Sequence, residues 1–95
     1  MNDVSLSEMR ESIDEIDRQI VSLLARRFAV TEEIGHLKKR QRLPSRDPQR
    51  EERQKQSLRT LSLEHGLNPD IAEDFFDVIV RHVVSRHDAI KGQPE

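Results

Sequence analysis

Residues 6–41 read LSEMRESIDEIDRQIVSLLARRFAVTEEIGHLKKRQ, and the spacing within them decides the fold. Apolar side chains recur at Leu6, Met9, Ile13, Ile16, Ile20 and Leu23, then at Val30, Ile34 and Leu37. The steps alternate between three and four residues without a break once position 27 is counted. That is the period of a helix laying one narrow apolar seam against another helix, not the broader face of a globular helix. Ser5 and Glu8 have the spacing of a capping box, and Pro44 stops the run. The pattern predicts a helix of about 36 residues, a rod of about 54 Å at 1.5 Å per residue. A rod of that length cannot be covered by one short partner.

Outward from this rod, Asp47-Pro48 is a second start signal, with Asp47 as N-cap and Pro at the first helical position. This short helix runs to about His65, with Gly66 as its C′ residue and Leu58, Leu61 and Leu63 as its candidates for burial. Asn68-Pro69 repeats the start signal. The third helix, of medium length, carries Ile71, Ala72, Phe75, Phe76, Ile79, Val80, Val83, Val84, His87 and Ile90 on its apolar side. Residues 1–4 and 92–95 read as frayed tails. There is no repeat, no low-complexity stretch and no linker. The expected fold is all-α, one domain over residues 1–95 built of a long, a short and a medium helix.

Composition bounds the rest. Of 95 residues, 26 are Leu, Ile, Val or Phe and 36% are charged, enough apolar material for a seam but not for a thick core. Small charged chains of this kind finish their cores by association, so a homodimer is expected. The absence of Cys excludes disulfides, thiolate metal sites and cysteine nucleophiles. No apolar run approaches membrane length and no basic-then-apolar leader is visible, which reads as a cytoplasmic protein with no membrane partner. Net charge is −2, but residues 38–59 hold nine basic side chains against Asp47, Glu51 and Glu52. Nucleic-acid binding through that block is disfavoured, because the only aromatics are three Phe and the rest of the chain is acidic.

Three features do not fit a plain bundle. Position 27 of the seam is Arg27, a costly residue at a core position unless its charge is paired. It reads either as a register-setting polar residue, or one bonded to a partner-helix carboxylate, or as a buried cation awaiting an anionic ligand. Lys38 lies eleven residues on, just over three turns, within about 20° of Arg27 and about 16 Å along the axis. Thr31 and Gly35, both small, fill the stripe between them, and a helical glycine suggests that backbone or ligand approaches there. The second feature is Asp47-Pro48-Gln49-Arg50-Glu51, a helix start whose free N–H groups suit an anion or hydroxyl oxygen. The third is His87, on an apolar stripe with Val83 and Ile90, where a histidine is more often a core residue than a ligand. His82 and His87 are five apart and do not pair as helical zinc ligands, so no metal is expected. Ser5, Ser7 and His36 form no convincing nucleophile–base pair.

Taken in order, these residues resemble the small all-helical chorismate mutases over about residues 6–90. The pieces are Met9-Arg10, Ile13-Asp14-x-Ile16-Asp17, Leu23-Leu24-Ala25-Arg26-Arg27, Ile34-Gly35-x-x-Lys38, Asp47-x-x-Arg50-Glu51 and Gly66-Leu67. The resemblance implies an intertwined helical homodimer with paired long helices, acting on chorismate without a cofactor. Residue by residue, it implies that Arg27 binds one carboxylate of chorismate and that Arg10 from the partner subunit binds another. Lys38 would donate to the ether oxygen, and Arg50 and Glu51 would shape the far wall, Glu51 accepting from the ring hydroxyl with Asp47 in support. Two positions depart from the commoner pattern. Val83 stands where many relatives carry a small hydroxyl residue, and His87 where they carry Gln or Glu as second donor to the ether oxygen. His87 is expected to donate from its neutral tautomer or as an imidazolium.

The reaction implied is a Claisen rearrangement of chorismate to prephenate, within aromatic amino acid biosynthesis. It needs a compact substrate conformer and cations aimed at charge growing on the ether oxygen, not a covalent catalyst. Isochorismate pyruvate-lyase and a mutase of the amino analogue of chorismate need the same cations. A helical adaptor or dimerisation module explains the seam, but leaves Arg27, Gly35 and the ordered spacing to chance.

Overall fold

The computed structural model of the chain describes residues 5–94. Three helices account for nearly all of them, α1 (Leu6–Gln41), α2 (Pro48–Glu64) and α3 (Pro69–Lys91). The long–short–medium order expected from the sequence is therefore the observed one, and no strand occurs among the described residues. Of the expected tails, residues 1–4 and 95 lie outside the described residues, while 92–94 follow α3 without helix.

Each helix end has a local cause. The Ser5 Oγ accepts from Glu8 N at 3.1 Å, Asp47 Oδ1 from Arg50 N at 3.1 Å and Asn68 Oδ1 from Asp70 N at 2.9 Å. These side chains satisfy N–H groups that the first turn leaves without a backbone acceptor. Gly66, at φ 72°, closes α2 as a Schellman turn, with Gly66 N bonding Leu63 O and Leu67 N bonding Ser62 O. The end of α1 is the same motif built without glycine. Arg42 takes the left-handed conformation at φ 57°, Leu43 N reaches Lys38 O at 2.8 Å and Arg42 N reaches Lys39 O at 3.2 Å. The helix thus stops at Gln41, ahead of the Pro44 that marks the stop in the sequence, and a non-glycine residue there costs about 1–2 kcal/mol.

The described residues fall into two compact units, the first ending at Val30 and the second beginning at Thr31, inside α1. In the second unit α2 packs along α3. The residues it excludes from water are Phe76, Ile79, His87 and Ile90 of α3, together with Gly35 and Ser62. On α2 the burial differs from the expectation: Leu61 and Leu63 are exposed and Leu58 is half-buried, whereas Ser62 is buried with its Oγ donating to Leu58 O at 2.6 Å. Ile71 and Phe75 of α3 are exposed as well. The interhelix ties are polar: Arg59 reaches Asp70 at 3.0 Å and Glu73 at 3.4 Å, and Arg86 grips Glu32 at 2.6–3.1 Å. The Arg86 guanidinium holds the Glu32 carboxyl below the usual carboxylate range. Such exposed pairs orient elements more than they stabilise them.

The seam of α1 is left open. Its nine apolar residues are 40–62% exposed, apolar surface of the kind that soluble chains cover by association.

Candidate active site

The Schellman turn after α1 brings the chain back on the helix it has just left. Lys38 Nζ consequently donates to the Ser45 carbonyl at 3.2 Å. One of three ammonium hydrogens is used, and two remain for a ligand. The Ser45 hydroxyl beside this bond is buried and has no partner among the described residues.

The second group of predicted residues shares the first turn of α2. Asp47 caps, its side chain on Arg50 N, and its carbonyl accepts from Glu51 N at 3.0 Å. The Arg50 guanidinium makes no hydrogen bond or ion pair among the described residues, whereas Glu51 is gripped by Arg46. Arg46 Nη2 lies 2.7 Å from Glu51 Oε1 and Nε lies 3.2 Å from Oε2. That carboxylate pushes the Arg46 pKa above the ordinary guanidinium value. Sequence reasoning missed Arg46. The signal was available: with Asp47 as N-cap, Arg46 is N′ and Glu51 is N4, the two positions that a hydrophobic staple joins across the first turn.

His87 sits on the third element, 2% exposed, with its ring over Gly35. A Cβ on Gly35 would lie 2.7 Å from His87 Cδ2 and 2.8 Å from Ile90 Cδ1. The shallow middle of the Arg27–Lys38 stripe, expected to admit a ligand, is therefore filled at Gly35 by α3, which is why glycine is needed there. His87 Nε2 is 2.7 Å from the Thr31 carbonyl. A carbonyl only accepts, so Nε2 carries the hydrogen, and in the neutral ring Nδ1 is left as an acceptor. Nδ1 is buried without a partner among the described residues. The expectation that neutral His87 donates to a ligand is thereby corrected: its donor is committed to Thr31, and donation from Nδ1 requires the imidazolium. Val83 lies one turn before it, half-buried.

Arg10 and Arg27 belong to the first unit, Arg10 exposed and Arg27 half-buried, and neither has a carboxylate partner among the described residues. No hydrogen bond joins Lys38, Glu51 and His87 to one another. The cleft between α2 and α3, about 590 Å³, is walled by Arg46, Glu51, Lys55, Arg81 and Asp88 over a floor that includes Phe76. Glu51 lines it but Lys38, Val83 and His87 do not, so the cleft and the predicted site share only one wall. No cluster of His, Asp or Glu among the described residues has the geometry to hold a metal ion, and no helix is long and apolar enough to cross a membrane.

Comparison with known proteins adds an independent line. The family described as chorismate mutase type II matches residues 9–88. The chain is similar to a chorismate mutase of Methanocaldococcus jannaschii, 32% identical over 77 residues, which covers 81% of this chain and 78% of that protein. It is similar to a T-protein of Enterobacter agglomerans, 34% identical over 76 residues, covering 80% of this chain and 20% of that protein. A bifunctional chorismate mutase/prephenate dehydratase of Buchnera aphidicola is 31% identical over 80 residues, covering 84% and 22% respectively. The chain thus spans most of the archaeal relative and about a fifth of the two longer proteins.

Proposed function

This chain belongs to the chorismate mutase type II family, and from that premise we propose that it rearranges chorismate to prephenate, as a single helical domain working in a homodimer. What carries the reading is the family match over residues 9–88, a span that contains all eight predicted site residues. The dimer is supported by the exposed seam of α1, whose burial against a second copy supplies the association that so thin a core needs.

In this reading the work is electrostatic and conformational. Arg27, and Arg10 from the second copy, bind the two carboxylates and hold the substrate folded with its reacting ends together. Lys38 donates to the ether oxygen as the carbon–oxygen bond breaks and negative charge grows there. Glu51 accepts from the ring hydroxyl, with Arg50 beside it and Asp47 maintaining the helix start. Val83 offers only an apolar contact. His87 stands at the position of the second donor at the ether oxygen, with its unpartnered Nδ1 as the ring nitrogen not committed to Thr31. No proton need leave the protein and no bond to it forms.

The test follows chorismate absorbance with purified protein and identifies the product chromatographically. The wild type is expected to form prephenate, and Arg27→Ala to lower kcat/KM by at least about 10²-fold, as loss of a preorganised charge contact does. Release of pyruvate from isochorismate with chorismate untouched would instead assign a lyase. Indifference of a well-folded protein to both would leave the adaptor reading. A second outcome isolates His87: His87→Gln replaces the ring with an amide donor and should keep kcat within about tenfold, whereas His87→Ala should lower it by about 10²-fold. A His87→Ala variant as active as the wild type would remove His87 from the reaction.

A further inference from the structure

Arg46 is absent from every assignment above, yet its guanidinium holds both oxygens of the carboxylate that is to receive the substrate's ring hydroxyl. We propose that Arg46 is a positioning residue for substrate recognition: its fork on Glu51 fixes that carboxylate at the start of α2 with its outer lone pairs turned to the ring hydroxyl of a chorismate-type ligand. The inference rests on the reading of Glu51 as the hydroxyl acceptor and deepens it.

The geometry supports this in three ways. The two contacts are unequal, 2.7 Å at Oε1 and 3.2 Å at Oε2. A carboxylate has about four acceptor positions, so a two-pronged grip leaves roughly half of them open, and the longer contact makes Oε2 the less satisfied oxygen. Next, the pair straddles the N-cap. Arg46 precedes Asp47, and Glu51 follows in the first turn, so the fork locks the side chain to the same turn that carries Arg50. Finally, burial is lopsided. The Glu51 side chain is 19% exposed and that of Arg46 61%, which places the cation as an outer cover over a partly sheltered acceptor. An unpaired Glu51 has three side-chain torsions free, and that freedom would have to be surrendered on binding. Lysine has the charge but not the planar fork.

The experiment compares steady-state kinetics of the wild type, Arg46→Ala, Arg46→Lys, Glu51→Gln and the double variant Arg46→Ala/Glu51→Gln. Each is also tested for inhibition by a chorismate analogue lacking the ring hydroxyl. Arg46→Ala is expected to raise KM for chorismate about three- to tenfold, with kcat changed less than about twofold, the signature of lost ground-state binding. Arg46→Lys should recover part of the loss. Inhibition by the deoxy analogue should be unmoved, and in the Glu51→Gln background Arg46→Ala should add nothing. Equal weakening of chorismate and analogue would mean that Arg46 merely supports the helix start, and would overturn the proposal. So would a normal KM in Arg46→Ala beside a raised one in Glu51→Gln, which would leave Glu51 as acceptor without Arg46. A wild type inert to chorismate would overturn the underlying reading and this inference with it.

Discussion

Lys38→Met is expected to lower kcat by about 10²–10³-fold, equivalent to about 2.7–4 kcal/mol of lost transition-state stabilisation. KM should move much less, because the charge that Lys38 is proposed to answer grows only as the ether bond breaks. In the proposed reading the ammonium is oriented in advance: the Schellman turn at Arg42 returns the chain so that the Ser45 carbonyl takes one of its hydrogens at 3.2 Å. A donor already oriented spends nothing on reorganisation at the moment of reaction. Methionine keeps the length and apolar body of the side chain and removes only the charge and the donors, so helix content by circular dichroism should match the wild type. Lys38→Arg retains the charge with a different reach and should fall between the two. A kcat for Lys38→Met within about tenfold of the wild type would move the ether oxygen away from Lys38.

The largest effect on stability is expected from Phe76→Ala. Phe76 is 2% exposed, one of a few apolar side chains of the second unit that are fully removed from water, and it floors the cleft between α2 and α3. Truncating a buried Phe typically costs about 3–5 kcal/mol, a large share of the roughly 5–15 kcal/mol that holds an ordinary domain together. With so few buried neighbours, little material is available to collapse into the gap. Thermal melting followed by helical circular dichroism, at a fixed protein concentration because association would shift the midpoint, should show a fall of more than about 10 °C. A shift of only about 2 °C would mean that the α2–α3 contact contributes little, and that stability resides elsewhere in the chain.

Much of the candidate site is legible in the amino-acid sequence. Lys38 and Arg27 share a helical stripe, Asp47, Arg50 and Glu51 share a helix start, and such groupings follow from period and capping alone. Two features are not legible there. The state of His87 depends on the Thr31 carbonyl, 56 residues away in sequence, and only that contact commits Nε2 as donor and leaves Nδ1 to require a proton. Arg46 at N′ and Glu51 at N4 are positions that can meet across the first turn, but only the fold shows the guanidinium forking that carboxylate instead of standing in solvent.

The same division runs through the fold. Four helix ends were determined by the sequence itself, since Ser5, Asp47-Pro48, Asn68-Pro69 and Gly66 act on backbone groups within about four residues, whereas α1 stops at a left-handed Arg42 that no glycine announces. The seam of α1 was equally explicit, its period being a property of one helix. Which faces go into the core was decided only by tertiary packing. Phe75 and Phe76 are adjacent and chemically identical, yet one is exposed and the other buried, and on α2 Ser62 is buried while Leu61 and Leu63 are not. Burial is settled by where the neighbouring helix lies, and where α2 and α3 meet is a relation between segments that neither segment contains.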